Sequence, residues 1–200
     1  MAVPPLFPND ALAALRKSMR KVRQRLDKEQ VWRAAVLPPA VVTQITGSHL
    51  IGLYSAMSGE PDPGLILAEL GMDISQQPVP TALPALAADS DLMFRRWTRG
   101  DPLTESPWNG LQPFTRAEAV VPDVIFVPLL AFDDELNRLG QGGGHYDRYF
   151  ACHERPLRVG VAWEEQRVPQ LATRPWDITL DAVITEQYCY LRKVERCRSQ

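Results

Sequence analysis

Short apolar runs, spaced along the chain and separated by helix-like segments, constrain this fold more than any other feature. Five stand out: His49–Tyr54, Leu92–Trp97, Asp123–Val127, Arg158–Trp163 and Asp181–Thr185. Each has the length of a strand and is too short for a buried helix. Asp10 can N-cap a helix running to about Val36, on which Leu12, Leu15, Met19, Val22 and Leu26 step by three or four and form one stripe. Val41–Ile45 reads as a helix or short connection, Pro63–Leu70 as a short helix stopped by Gly71, and Tyr146–Cys152 as another helix. Ile74–Val79 reads as an edge strand, held to the sheet margin by Pro78, Pro80 and Pro84. Asp101–Thr115 reads as loop. Strands alternating with helices predict a layered α/β fold with a mostly parallel sheet. In such sheets ligands sit beyond the carboxyl ends of the strands. The Glu60 loop and a glycine-rich loop at 140–144 both follow strands, so both are expected to face one cleft.

Two hundred residues suit a single domain. The expected division is a flexible, proline-rich arm at 1–9, one domain over 10–192 and a tail at 193–200. A formal net charge of -2 argues against a general nucleic-acid binder, which carries a marked basic excess. Cys152, Cys189 and Cys197 are odd in number and form no C-x-x-C pair, which points away from a disulfide framework and toward a reducing compartment. The apolar stretch Ala119–Phe132 is broken by Asp123 and two prolines, so no run reaches membrane-spanning length. The basic N-terminal segment is interrupted by Asp10, Asp27 and Glu29, unlike a transit peptide. The expectation is a cytoplasmic protein that acts as a monomer, with no membrane or nucleic-acid partner.

The chemistry concentrates between Asp133 and Arg148. Gly140, Gly142, Gly143 and Gly144 fill four of five positions, leaving backbone N–H groups unshielded and able to turn inward, as a phosphate cradle requires. Arg138 and Arg148 flank them with positive charge. The alternative is a turn that only needs positive φ. The common phosphate motifs fail: no glycine here leads to the lysine of a Walker loop, and G-x-G-x-x-G fits Gly140 and Gly142 but then meets His145. A serine nucleophile elbow is absent, because Leu50 stands where Ser48 would need glycine, and there is no His-Glu-x-x-His pair.

The remaining candidates each have a plain structural alternative. Arg16 and Arg20, one helical turn apart, either reach a phosphate together or belong to a solvated basic face. His145 is either a base or a ring packed beside Tyr146. Asp147 and Asp177 are hard oxygen ligands of the kind that suit magnesium on nucleotide phosphates, or else caps and turn residues.

Phe132-Asp133 followed by Arg138-Leu139-Gly140-Gln141-Gly142-Gly143-Gly144-His145-Tyr146-Asp147-Arg148 resembles the signature of the 5-formyltetrahydrofolate cyclo-ligase (5,10-methenyltetrahydrofolate synthetase) family. Leu15-Arg16-Lys17 with Arg20 and Arg23, Leu53-Tyr54 followed by Glu60, Gly110-Leu111-Gln112-Pro113, Gly160-Val161-Ala162, Asp177 and Leu180-Asp181 resemble other parts of it in the same order. The likeness runs from about residue 10 to about residue 190. The chain departs from the family pattern at Leu12, where a basic residue is frequent, and at Leu136, where glycine is usual. Gln112 stands for a common glutamate, His145 for an aromatic, and Trp176 for a common histidine.

The resemblance implies a three-layer αβα fold of the sugar-isomerase/CoA-transferase-like type. It implies conversion of 5-formyltetrahydrofolate to 5,10-methenyltetrahydrofolate with ATP and Mg2+, releasing ADP and phosphate through a phosphorylated formyl intermediate. By that likeness Arg138, Tyr146 and Asp147 carry the catalysis. Arg16, Lys17, Arg20, Arg138, Leu139, Gly140, Gln141, Gly142, Gly143, Gly144, His145 and Tyr146 bind ATP. Tyr54, Glu60, Trp97 and Tyr146 bind the folate, and Asp147 and Asp177 hold the metal. Two other readings stand beside it: a non-catalytic folate- or nucleotide-binding module on the same fold, and a sugar-phosphate isomerase or acyl-CoA transferase relative that needs no ATP.

Overall fold

The computed structural model describes residues 9–57, 59–72, 79–86, 91–107 and 110–192. Most of the arm at 1–9, the tail at 193–200, all of the edge strand expected at Ile74–Val79 except Val79 (which is in no strand) and the side chain of Asp10 lie outside the described residues.

The helices are α1 (Asn9–Glu29), α2 (Pro39–Thr46), α3 (Gly64–Glu69) and α4 (His145–Cys152). The strands are β1 (Ile51–Gly52), β2 (Thr81–Leu86), β3 (Leu92–Arg96), β4 (Leu103–Glu105), β5 (Leu111–Pro113), β6 (Ala119–Val120), β7 (Val124–Pro128), β8 (Ala131–Phe132), β9 (Arg138–Leu139), β10 (Leu157–Val161), β11 (Ala182–Ile184) and β12 (Cys189–Leu191). The main sheet has the order β12-β11-β10-β7-β1-β2-β3-β6. Its five inner strands, β11 to β2, are mutually parallel, and the antiparallel strands β12, β3 and β6 close the two margins.

Alternation along the inner strands builds two cores. Val124, Phe126, Val159, Val161, Ala182 and Ile184 point to one face, where Leu26 of α1, Val41 and Ile45 of α2, and Ile66 and Leu67 of α3 cover them. Ile125, Val127, Val183 and Phe94 point to the other face, under Tyr149 and Phe150 of α4. Both faces are dry, which is why the strands read as continuous apolar runs. A smaller third cluster joins Leu12, Leu15 and Met19 of α1 to Ala131, Leu139 and Leu171 around the β8–β9 hairpin. The stripe on α1 is therefore split: its first half packs on that hairpin, and its second half on the main core.

Several expectations need correction. α1 stops at Glu29, short of Val36, which is 96% exposed. The chain after it leaves the helix for partners elsewhere: Trp32 Nε1 donates to Ala162 O at 3.0 Å, and Ala35 N donates to Thr185 O at 2.9 Å. β1 spans only Ile51–Gly52, since His49 N and Leu50 N donate to the Asp123 carboxylate instead of a strand. The stretch expected as loop over Asp101–Thr115 contains the β4–β5 hairpin. β2, interior to the sheet, contains Pro84. Pro80, just before this strand, and Ala82 within it present their carbonyls to β1, so the Pro84 nitrogen faces the same side. Leu53 N still donates to Ala82 O at 2.8 Å, and the next bond of the ladder would come from residue 84, so the pairing with β1 stops where Pro84 has no N–H to give.

Candidate active site

A cleft of about 740 Å³ opens at the carboxyl ends of β1 and β7. Tyr54, Ser55, Met57 and Glu60, following β1, form one wall; Pro128, Leu129 and the glycine loop, following β7, form the other. Leu12, Arg16, Arg20 and Arg23 of α1 run along it, and Leu171, Ala172, Arg174, Trp176 and Asp177 close the rim. The Glu60 loop and the glycine loop thus face the same space.

The glycine loop is shaped by its neighbours. Gly142 has φ 111° and Gly144, at the N-cap of α4, has φ 64°, both in the left-handed region that glycine adopts without strain. A Cβ at Gly142 would stand 3.5 Å from the Arg16 guanidinium carbon, and one at Gly143 would strike the His145 ring at 2.6 Å. The loop is tied to α1 from both ends of its first half: Arg16 Nε donates to Gly140 O at 3.0 Å, and Arg20 Nη2 donates to Gln141 Oε1 at 2.6 Å. Arg148 Nη1 donates back to Gly143 O at 2.9 Å.

Upstream, the β8–β9 turn is organised by one buried carboxylate. Asp133, 1% exposed, accepts from Glu135 N, Asn137 N, Asn137 Nδ2 and Leu171 N. Leu136 in this turn has φ 59°, the only positive φ outside glycine among the described residues. That explains why glycine suits the position; Leu136 keeps its place by burying its side chain under the α4 face.

At the inner end of the cleft, Arg138 Nη2 meets Asp147 Oδ1 at 2.7 Å, and Ile178 N donates to the same oxygen at 3.1 Å. Arg138 also lies over the Tyr146 ring, 5.6 Å from its centroid. The Tyr146 hydroxyl is buried with no hydrogen-bond partner among the described residues. Burial pushes its pKa well up; Arg138 opposes this and Glu60 adds to it. Arg23 Nη1 donates to Glu60 Oε1 at 2.8 Å, and Met57 N donates to Glu60 Oε2 at 3.0 Å. The Tyr54 hydroxyl donates to Pro61 O at 2.6 Å, and burial raises its pKa also, with Glu60 next in effect.

Near the mouth the field is positive. Burial, then the charges of Arg174 and Arg20, lower the Arg16 pKa, while Asp177 acts in the opposite sense. Asp177 Oδ2 accepts from Arg174 N at 2.8 Å, closing a short turn that carries both residues to the rim.

Of the site residues expected from sequence, Arg16, Arg20, Tyr54, Glu60, Arg138, Leu139, the loop 140–144, His145, Tyr146, Asp147 and Asp177 all line the cleft. Lys17 and Trp97 do not. Each helical residue turns the side chain by about 100°, so Lys17 leaves the face that Arg16 and Arg20 share, and it is exposed. Trp97 follows β3 and packs against the core on the helix α1–α3 side, with Nε1 donating to Asp101 O at 3.2 Å. Arg23, Arg174 and Trp176 line the cleft without being among the residues expected there from sequence. Arg23 had a signal, the repeat Arg16-Arg20-Arg23 on one helical face. Arg174 and Trp176 sit in an irregular segment whose path no local pattern announces.

The sequence matches the model of the 5-formyltetrahydrofolate cyclo-ligase family over residues 9–186. It is 30% identical over 175 residues to the 5-formyltetrahydrofolate cyclo-ligase of Haemophilus influenzae, covering 83% of this chain and 92% of that one. To the mouse enzyme of the same name it is 30% identical over 196 residues, covering 89% and 95%. Among solved structures, the 5,10-methenyltetrahydrofolate synthetase of Aquifex aeolicus superimposes with a TM-score of 0.66 at 25% identity, over 94% of this chain and 96% of that one. The likeness spans the layered sheet and the cleft together: this chain belongs to the 5-formyltetrahydrofolate cyclo-ligase family of enzymes.

Proposed function

We propose that the protein converts 5-formyltetrahydrofolate to 5,10-methenyltetrahydrofolate at the cost of ATP, with Mg2+. The observation that carries this reading is the cluster of Arg16, Arg20 and Arg174 around an open glycine loop. Mutually repelling cations at a cleft mouth are best satisfied by a polyanion, and a triphosphate supplies one.

The chemistry has two steps. A formamide is a poor electrophile and its oxygen a poor leaving group. The formyl oxygen attacks the γ-phosphorus, that O–P bond forms, the bond to the β-phosphate oxygen breaks, and ADP leaves. The neighbouring amine at position 10 then attacks the activated formyl carbon, loses its proton, and phosphate departs with the former formyl oxygen. The protein's part is positioning and charge neutralisation. Arg16 and Arg20 hold the phosphates against the glycine loop, and Arg138 stabilises charge developing on the transferred group. Glu60, fixed by Arg23 and Met57 N, accepts hydrogen bonds from the pterin, and the Tyr146 hydroxyl donates to the substrate at the reacting end. The donor set suits magnesium, an ion that takes one or two carboxylates and completes its shell with phosphate oxygens and water. Asp147 and Asp177 would hold it, where it would offset phosphate charge. Both protein contacts to Asp147 use Oδ1, which favours Oδ2 for the cation.

The test is one assay with ATP, magnesium and 5-formyltetrahydrofolate, following methenyl product and ADP together. Product and ADP in equal amounts, and neither without the folate, support the reading. ATP and folate bound without turnover at high enzyme concentration would leave only a binding module.

A further inference from the structure

Trp176 is 63% exposed, the most exposed aromatic side chain among the large hydrophobic residues on the described surface. It lines the cleft at its rim, between Arg174 and Asp177 in sequence. The Arg174 guanidinium lies over the indole, 5.8 Å from its centroid. A cation over one face restrains the ring and leaves the other face for a second flat partner. Its neighbours belong to the phosphate end: the charges of Arg174 and Asp177 both act on Arg16, which grips Gly140. The groups assigned to the folate, Tyr54 and Glu60, lie at the buried inner end of the cleft. With the phosphates on the glycine loop and the folate at the inner end, the rim at Trp176 is the part of the cleft left for the base.

We propose that Trp176 is a nucleotide-specificity residue that stacks on the purine base of ATP. The inference rests on the ATP-dependent reading above. It assigns a task to a position where the family pattern has a histidine, and it separates base recognition by Trp176 from phosphate recognition by the arginines and glycines.

The experiment is calorimetric titration of the full chain, its Trp176→Ala variant and its Trp176→Phe variant with magnesium-ADP and with inorganic tripolyphosphate, together with KM for both substrates. Loss of one base-stacking platform is expected to weaken ADP about tenfold in Trp176→Ala. Tripolyphosphate affinity and the KM for 5-formyltetrahydrofolate should stay unchanged, and Trp176→Phe should recover most of the ADP affinity. Equal ADP affinity in Trp176→Ala and the parent overturns the stacking role and leaves the ATP reading intact. A rise in the folate KM alone overturns it as well, by moving Trp176 to the other substrate. A parent protein that binds neither ADP nor tripolyphosphate sinks the ATP reading and this inference with it.

Discussion

Arg23 and Glu60 meet at 2.8 Å with only 6% and 4% of their side chains exposed, joining α1 to the loop after β1 through a nearly dry ion pair. Glu60→Gln should raise the folate KM by at least tenfold and strand a buried guanidinium whose Nε already lacks a partner. The stability loss should be about 3 kcal/mol, in the range seen when one member of a buried pair is removed. The double variant Arg23→Met/Glu60→Leu should regain most of that stability in urea unfolding while remaining inactive. If the double variant turned over normally, Glu60 would have no role in binding.

Arg138 and Asp147 form the second inner pair, with 6% and 17% of their side chains exposed. Arg138→Met should lower kcat by about 100-fold or more, the scale of losing one preorganised charge at a transferring group. Asp147→Asn keeps an acceptor for Ile178 N, so it should stay folded and show a raised magnesium requirement. Rates measured across a magnesium series, with circular dichroism as the folding check, decide this; an unchanged requirement removes Asp147 from the metal site.

Leu136 sits at φ 59° with 2% exposure, so two effects compete on substitution by glycine. Relief of the left-handed strain is worth about 1–2 kcal/mol. Loss of a buried leucine side chain costs about 2–5 kcal/mol. Leu136→Gly should therefore be less stable by about 1–3 kcal/mol, with activity unchanged below its melting range. A urea midpoint above that of the parent would show that strain dominates.

Burial pushes the Tyr149 hydroxyl from 10.0 up to about 12 and the Cys189 thiol from 9.0 up to about 11. Both groups are neutral when protonated, so the unfolded chain gives up these protons first as pH rises. Their contribution is complete below about pH 9 and is lost as pH climbs through about 11 to 12. The urea midpoint should fall across that window. Tyr149→Phe should flatten the upper part of the fall and cost little at neutral pH, because the Tyr149 hydroxyl is buried without a partner. An identical pH profile for the variant would exclude Tyr149 as a cause.

The sequence made the inner strands and the glycine loop legible because burial on both faces and a need for bare backbone each leave a local mark. β7 and β10 were readable as apolar runs, and Gly142 and Gly144 do occupy left-handed geometry. β12 was not readable, because at the sheet margin two of its residues are only partly buried and Leu191 is exposed. The interior position of β2 was hidden by Pro84, which is tolerated because it falls at the end of the short β1 pairing and costs only its last bond, a fact about a different segment. The far end of α1 was misjudged for a similar reason: Trp32 and Ala35 are drawn off the helix by Ala162 and Thr185, far along the chain. For Trp97 residue type leaves a contact with a flat ligand beside a core tryptophan, and the structure packs it against the core. Arg174 and Trp176 reach the cleft through a turn closed by Asp177, which spacing alone does not reveal.

α1 carries Arg16 and Arg20 against the glycine loop and Arg23 against the Glu60 loop. The two ends of the cleft are therefore measured off along one rigid rod, and the spacing between the glycine loop and the Glu60 loop is a matter of helical register. A helix advances about 1.5 Å and rotates about 100° per residue, so one alanine inserted between Arg20 and Arg23 would swing the guanidinium away from Glu60 while leaving the grip on the loop in place. The helix works as a ruler whose graduations are arginines, and a single miscount would keep its hold on one loop and lose the other.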